Sequence, residues 1–326
     1  MKDVARAAGV GLKTVSRVVN GEPGVNAATA ERVRSAIDRL GFRRNDSARI
    51  LRRGNTASIG LVLEDVADPF YSGLTRAVEE VARRHDSLVF AGSSDEDPER
   101  ERELTLAFCA RRVEGLIIVP AGDNHQYLLP EMTAGVAAVF VDRPAGDIKA
   151  DAVLADNAGG TREGVEHLLA QGHRRIAFIG DSPAIFTAKE RLRGYREAMA
   201  GAGIAADDDL VAMSTPTAGA IHQALDRLLG RDEPVTALFA GNNRVTVAIL
   251  RELAHRPTRP ALVGFDDFEL ADLLSPGVTV VAQDPIGLGR TAAELLFQRL
   301  SGDRGPARRI ELSTRLIPRG SGEVGP

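Results

Sequence analysis

Apolar positions near the start of the chain fall at Val4, Ala5 and Ala8, then, past Gly9, at Val10, Val15, Val18 and Val19. Spacings of three and four put each set on one side of a helix, and Gly9 breaks the run between them. The pattern predicts two short helices that cross closely through small side chains. The second leaves Leu12, Lys13, Thr14, Ser16, Arg17 and Asn20 on its outer face. Lysine and arginine can reach base edges and hydroxyls can reach phosphates, so the segment reads as a helix-turn-helix suited to a DNA major groove. A generic helix pair at the edge of a globular domain is the plainer alternative.

Residues Ala27 to Phe42 continue the helical spacing through Val33, Ile37 and Leu40, with Gly41 as the stop. They predict a third helix that closes a small head. The stretch RRNDSARILRRGNTAS that follows is polar and basic. It reads either as a solvated linker or as a short helix capped by Asn45 or Asp46, with Ala48 and Leu51 on one face.

From Ala57 the pattern changes to apolar runs alternating with amphipathic helical segments. SIGLVL (Ser58 to Leu63), SLVFAG (Ser87 to Gly92), GLIIVP (Gly115 to Pro120) and AAVFVD (Ala137 to Asp142) form one series. RIAFIG (Arg175 to Gly180), LVAMS (Leu210 to Ser214), TALFAG (Thr236 to Gly241) and ALVGFD (Ala261 to Asp266) form a second. VTVVAQD (Val278 to Asp284) then leads to a last helix near Ile286 to Leu300. Continuous apolar runs of this kind suit parallel strands buried on both faces, so the body reads as an α/β core of two doubly wound parallel-sheet lobes.

Ligands of open α/β sheets bind at the carboxyl ends of the strands, and there the chain is polar. Asp142 follows VFV, Asn242 and Asn243 follow LFAG, Asp266 and Asp267 follow VGF, and Gln283 ends VVAQ. Carboxylates and amides offer paired donors and acceptors to a hydroxyl-rich ligand. Turn chemistry at strand ends is the ordinary reason for finding Asp and Asn in such places.

Charge divides the chain in the same way. The 326 residues carry a formal net charge of −4, but residues 1 to 54 hold twelve Lys and Arg against five Asp and Glu, leaving 29 against 40 in the rest. A basic head on an acidic body suits a polyanion-binding module joined to a regulatory domain. Cys109 is the single cysteine, which excludes an intrachain disulfide, and its surroundings read as a packed helix face. No signal-peptide pattern follows Met1 and no apolar run approaches membrane-spanning length, so a cytoplasmic protein without membrane contact is expected. There is no GxxxxGK[ST] loop and no GxGxxG opening a helix; GLG at Gly287 to Gly289 is a fragment. His167 and His173 have no neighbouring ligand set along the chain. Neither catalysis, nor a metal, nor a cofactor is expected.

DVA (Asp3 to Ala5), AGV (Ala8 to Val10), TVSRVVN (Thr14 to Asn20) and RLIPRGS (Arg315 to Ser321) resemble the pattern of the LacI/GalR family of bacterial transcription factors. The likeness covers nearly the whole chain. It implies a DNA-binding head over 1–54, with a hinge helix over about 45–53 that orders on operator DNA. That hinge would place Asn45, Ala48 and Leu51 at the minor groove, with Leu51 as the apolar wedge. The effector-binding and dimerisation core would span 55–326. Its lobe 1 would cover about 57–156 plus 285–312, and its lobe 2 about 157–284 plus 313–320. The resemblance also places Arg191 of RLRGY, and Asp68, Phe70 and Tyr71 of ADPFY, beside the effector. Periplasmic sugar-binding proteins are similar in this core.

The chain departs from the family pattern in three respects. Arg44 stands where a proline commonly precedes the hinge asparagine. Pro216 and Pro285 fall near places where sugar-responsive relatives carry an aromatic ring, and the chain has no tryptophan, leaving Phe70, Tyr71 and Phe265 as stacking surfaces. Family members also carry several residues before DVA, which suggests a start upstream of Met1.

The expected function is therefore a ligand-responsive regulator, a repressor in sense, that binds double-stranded operator DNA as a homodimer. Without a heptad-patterned tail after Arg319, a dimer is expected rather than a coiled-coil tetramer. The effector class stays open between a sugar, a sugar phosphate and another small polar metabolite. A transport-type binding protein and an enzyme on the same architecture are the rivals from other classes.

Overall fold

The computed structural model describes residues 1–42, 57–205 and 207–326, the side chain of Asn20 apart. The predicted hinge, with Asn45, Ala48 and Leu51, lies outside the described residues. Two compact units are present, Met1–Thr56 and Ala57–Pro326.

In the first unit, helices α1 (Lys2–Ala8), α2 (Leu12–Asn20) and α3 (Ala27–Arg39) pack around Val4, Ala5, Ala8, Val15, Val33 and Ala36. Gly9 takes the left-handed conformation, φ 64°, that ends α1 and turns the chain into α2. Asn26 caps α3 by accepting from the Thr29 N–H at 2.8 Å. Val18, Val19 and Ile37 are only half-buried against this core, and Leu40, placed inside by its spacing, is 47% exposed because α3 stops one residue earlier.

The second unit contains two six-stranded sheets. Lobe 1 holds β1 (Ser58–Leu63), α4 (Pro69–Arg84), β2 (Leu88–Ser93), α5 (Pro98–Ala110), β3 (Gly115–Ile118), α6 (Leu129–Thr133), β4 (Ala137–Val141) and β5 (Asp151–Ala155). Lobe 2 holds α7 (Asn157–Ala170), β6 (Ile176–Gly180), α8 (Phe186–Gly201), β7 (Val211–Met213), α9 (Ala218–Leu229), β8 (Ala237–Ala240), α10 (Asn243–Leu253), β9 (Ala261–Phe265) and β10 (Thr279–Ala282). The chain returns to lobe 1 for α11 (Pro285–Leu300) and β11 (Arg309–Leu312), then ends in lobe 2 with β12 (Arg315–Ile317).

The sheet orders are β11-β5-β4-β3-β1-β2 and β12-β10-β9-β8-β6-β7. Each contains the doubly wound order in which the strand sequence reverses between the first and third strands, opening a crevice at their carboxyl ends. That crevice lies between β1 and β3 in lobe 1 and between β6 and β8 in lobe 2. β12 runs antiparallel to β10, an edge strand on an otherwise parallel sheet.

Strands β5, β11 and β12 are absent from the sequence reading, because runs of three to five residues give too little periodicity to separate strand from loop. β2 is a correction of another kind: it is an edge strand, with Leu88 67% and Phe90 40% exposed, and is not buried on both faces.

Candidate effector site between two lobes

Short strands ending in polar residues bring the site together. β1 delivers Glu64 and, through the N-cap of α4, Asp68; β4 delivers Asp142 and Arg143; β6 delivers Asp181; β8 delivers Asn242 and Asn243; β9 delivers Asp266. These residues line a narrow cavity between the lobes, with room of about 40 Å³, together with Phe70, Tyr71, Ile185, Thr187, Arg191, Arg244 and Gln283.

All eight residues expected at the effector line this cavity: Asp68, Phe70, Tyr71, Asp142, Arg191, Asn242, Asp266 and Gln283. Arg191 stands inside helix α8. Its approach depends on Gly194, where a Cβ would collide with the carbonyl of Ala158 and push α8 away from α7. Arg191 is buried; Nε donates to Asn157 Oδ1 at 2.7 Å, and Nη1 donates to the Gly241 carbonyl at 2.7 Å and Asp266 Oδ2 at 3.4 Å. Its guanidinium lies 3.9 Å from the centre of the Phe265 ring. The other Asp266 oxygen accepts from Gln283 Nε2 at 2.5 Å. Asn242 caps α10 with Oδ1 on Val245 N–H at 2.8 Å and donates from Nδ2 to Asp181 at 3.1 Å.

Lobe 1 contributes a buried carboxylate cluster that the sequence reading missed. Arg143 donates to Glu96 through both terminal nitrogens, at 2.7 and 2.5 Å, to Glu64 at 3.2 Å and to the Pro120 carbonyl at 2.8 Å. The Tyr71 hydroxyl donates to Glu64 at 3.0 Å. Burial, with Glu96 close by, pushes Glu64 up to about 8. Burial of Glu96 works the same way, but hydrogen bonds and charge from Arg143 outweigh it and hold that carboxyl below its ordinary value. Burial also raises Asp142 to about 6 and lifts Asp68, in each case helped by the negative charge of Asp266 across the cavity.

Among the strand-end residues noted from the sequence, Asn243 lines the cavity, whereas Asp267 does not and instead pairs with Arg319 at 2.6 and 2.7 Å. Glu64, Arg143 and Asp181 had only one local signal, a polar residue at or just past a strand end, while Thr187 and Arg244 lie in the first turns of α8 and α10. His167, which seemed remote from carboxylates, meets Glu323 at 2.5 Å; His173 is buried between the Thr236 hydroxyl and the Val324 carbonyl. Both serve to dock the C-terminal segment. No group of three or more metal-ligating side chains occurs among the described residues.

In the head, Leu12 and Lys13 are exposed, Thr14, Ser16 and Arg17 are half-buried, and Val15 points into the core. Of the described side chains proposed for the major groove, Leu12 and Lys13 are thus the most open to a ligand.

A two-lobed core with its cavity at the crevice of both sheets, carrying a helix-turn-helix unit, defines a ligand-binding regulator. Comparison with known proteins places it further. Residues 1–45 match the bacterial regulatory proteins, lacI family, and residues 165–322 match the periplasmic binding protein-like domain. The chain is 35% identical to the HTH-type transcriptional regulator CelR of Thermobifida fusca, covering 98% of this chain and 97% of the relative. It is 32% identical to GalR of Escherichia coli K12 over 90% of this chain and 87% of that one. Among solved structures, the Lac repressor dimer bound to operator and the anti-inducer ONPF aligns with a TM-score of 0.85 at 27% identity, over 99% of this chain and 98% of that one. The CelR–cellobiose complex aligns at 0.73 and 33% identity, over 98% of each chain.

The chain belongs to the LacI family of bacterial regulatory proteins. It is a DNA-binding transcriptional regulator with an effector-binding core.

Proposed function

We propose that this regulator represses transcription from a near-palindromic operator, which it binds as a homodimer, and that a neutral sugar or sugar-like polyol held between the lobes controls its grip on DNA. The observation that carries the effector class is the polarity of the cavity. Asp68 and Asp142 face Asp266 across it, and Gln283 Oε1 is buried without a donor among the described residues. An acceptor left without a donor beside these carboxylates calls for a ligand rich in donors, as vicinal hydroxyls are. Arg143 and Arg191 donate to protein acceptors through most of their nitrogens, Arg143 Nε excepted, and carboxylates outnumber cations in the lining, so a phosphate group would meet more carboxylate than cation. The relative crystallised with cellobiose accords with this reading.

Within that reading, Asp68, Phe70, Tyr71, Asp142, Arg191, Asn242, Asp266 and Gln283 bind the effector. Leu12, Lys13, Thr14, Ser16, Arg17 and Asn20 meet the major groove, and Asn45, Ala48 and Leu51 the minor groove. The protein acts by binding, without turnover of the ligand, and works in the cytoplasm where chromosomal DNA is found. Exposed apolar side chains at Leu88 and Phe90 in lobe 1, and at Leu270, Leu273 and Leu274 in lobe 2, supply surface for a second copy.

A thermal-shift screen of mono- and disaccharides, each with its phosphorylated counterpart, tests the effector class. A neutral sugar should raise the melting temperature by preferential binding to the folded state. A shift confined to phosphorylated sugars would overturn the assignment.

A further inference from the structure

Two consecutive residues at the start of α10 reach out of lobe 2 and bond directly to lobe 1. Asn243 Nδ2 donates to Asp68 Oδ1 at 3.1 Å, and Arg244 Nη1 donates to Glu64 Oε1 at 2.9 Å. Both ends of this contact are ordered in advance. On the lobe 2 side, the Asn242 cap holds the first turn, and Asn243 Oδ1 accepts from the Arg244 N–H at 2.7 Å. On the lobe 1 side, Glu64 is fixed by Tyr71 and Arg143, and Asp68 is fixed by capping α4 at Phe70 N–H, 2.9 Å away. Partners held this way lose little side-chain freedom when they meet.

Arg244 also differs from the other two arginines of the cavity. Arg143 and Arg191 are buried and donate within their own lobes, whereas the Arg244 side chain is 49% exposed and crosses the cleft. Three short connections, at 156–157, 283–284 and 313–314, join lobes that each have a complete core, so a few side-chain contacts can set the balance between open and closed forms.

We propose that Asn243 and Arg244 form a clasp that closes the two lobes over the cavity before any effector enters, and that Arg244 is the positioning residue setting the fraction of molecules ready to bind. A ligand that touches both lobes favours the same closed form, so the clasp and the ligand assist each other. Loss of the clasp lowers apparent affinity in proportion to the closed fraction lost. Glu64 needs only an acceptor oxygen for this role. Glu64→Gln therefore keeps the clasp and Glu64→Leu removes it.

The test uses the full chain without ligand. Spin labels on cysteines replacing Glu99 in lobe 1 and Thr215 in lobe 2, in a Cys109→Ala background diluted with unlabelled chain, report the separation of the lobes within one protomer. Unsubstituted and Glu64→Gln proteins should give one narrow, short distance. Arg244→Ala and Asn243→Ala should move the distribution to longer distances and broaden it, with Arg244→Lys restoring much of the short component. An Arg244→Ala distribution that superposes on the unsubstituted one would overturn the proposal.

A double-mutant cycle on melting temperature supplies a second readout. Arg244→Ala should have little further effect in a Glu64→Leu background, and full additivity of the two changes would count against a direct clasp. The proposal concerns the regulation of the effector cleft proposed above, but neither measurement contains a sugar. A failed sugar screen and a failed clasp therefore remain distinguishable.

Discussion

Asp142 and Asp266 adopt the same left-handed backbone, φ 68° and 69°, at the ends of β4 and β9, one in each lobe. Each donates its N–H at 2.9 Å to the neighbouring strand, to Val153 and Val281 respectively. Positive φ costs most L-residues about 1 kcal/mol or more, and Asp and Asn tolerate it best. The two lobes thus use the same local solution to turn a carboxylate into a shared cavity. Asp266→Asn should accordingly keep the turn but remove the charge beside the buried Arg191, while Asp266→Ala loses the turn preference and both hydrogen-bond partners as well and should cost about 1–2 kcal/mol more in urea stability. Equal midpoints for the two variants would contradict this account of the turn.

Arg191 presents the opposite case, a buried cation whose value depends on every partner staying in place. Arg191→Met leaves Asn157, the Gly241 carbonyl and Asp266 without their donor. A loss of about 3–5 kcal/mol in core stability is expected. Operator binding by the folded variant should persist but become insensitive to the effector. Release from DNA at the unsubstituted protein's effector concentration, read by fluorescence anisotropy, would remove Arg191 from the site.

Glu64 gives a pH dependence with a defined sign. Its carboxyl is raised from about 4.5 to about 8 in the folded core. The folded state therefore binds the proton more tightly than the unfolded chain, and this contribution to stability is lost as pH rises from the ordinary glutamate range through 8. Glu64→Gln cannot ionise. Its melting temperature relative to the unsubstituted protein should thus climb by several degrees between pH 5 and pH 8.5. Parallel curves for the two proteins would show that Glu64 does not carry the effect.

At the DNA, Arg17 and Lys13 should both act as readers of base edges. Arg17→Ala is expected to cost about 1–3 kcal/mol on the operator and to relax preference at one base pair in each half-site. Lys13→Ala should likewise weaken binding to the operator more than to random DNA. Equal losses for Arg17→Ala on both DNAs would make it a backbone contact instead.

Much of this protein was determined by local sequence alone. The apolar stripes Val4, Ala5, Ala8 and Val15 specify a helix pair because a 3.6-residue period admits one buried side, and runs such as SIGLVL and ALVGF specify buried parallel strands because both their faces must leave water. A polar residue directly after such a run has to lie at a strand end, so the cavity positions of Asp142, Asn242 and Asp266 were legible. Tertiary structure alone decided which strand ends face one another. Glu64 and Arg244 are separated by 180 residues and meet only when two lobes close, as do Asp68 and Asn243. The raised proton affinity of Glu64 likewise arises from burial beside Glu96, which the fold brings from beyond β2. Periodicity reports which side of an element is buried, because burial follows from a residue's own transfer free energy. Pairing across a cleft depends on rigid-body placement of whole sheets, and no local spacing encodes it.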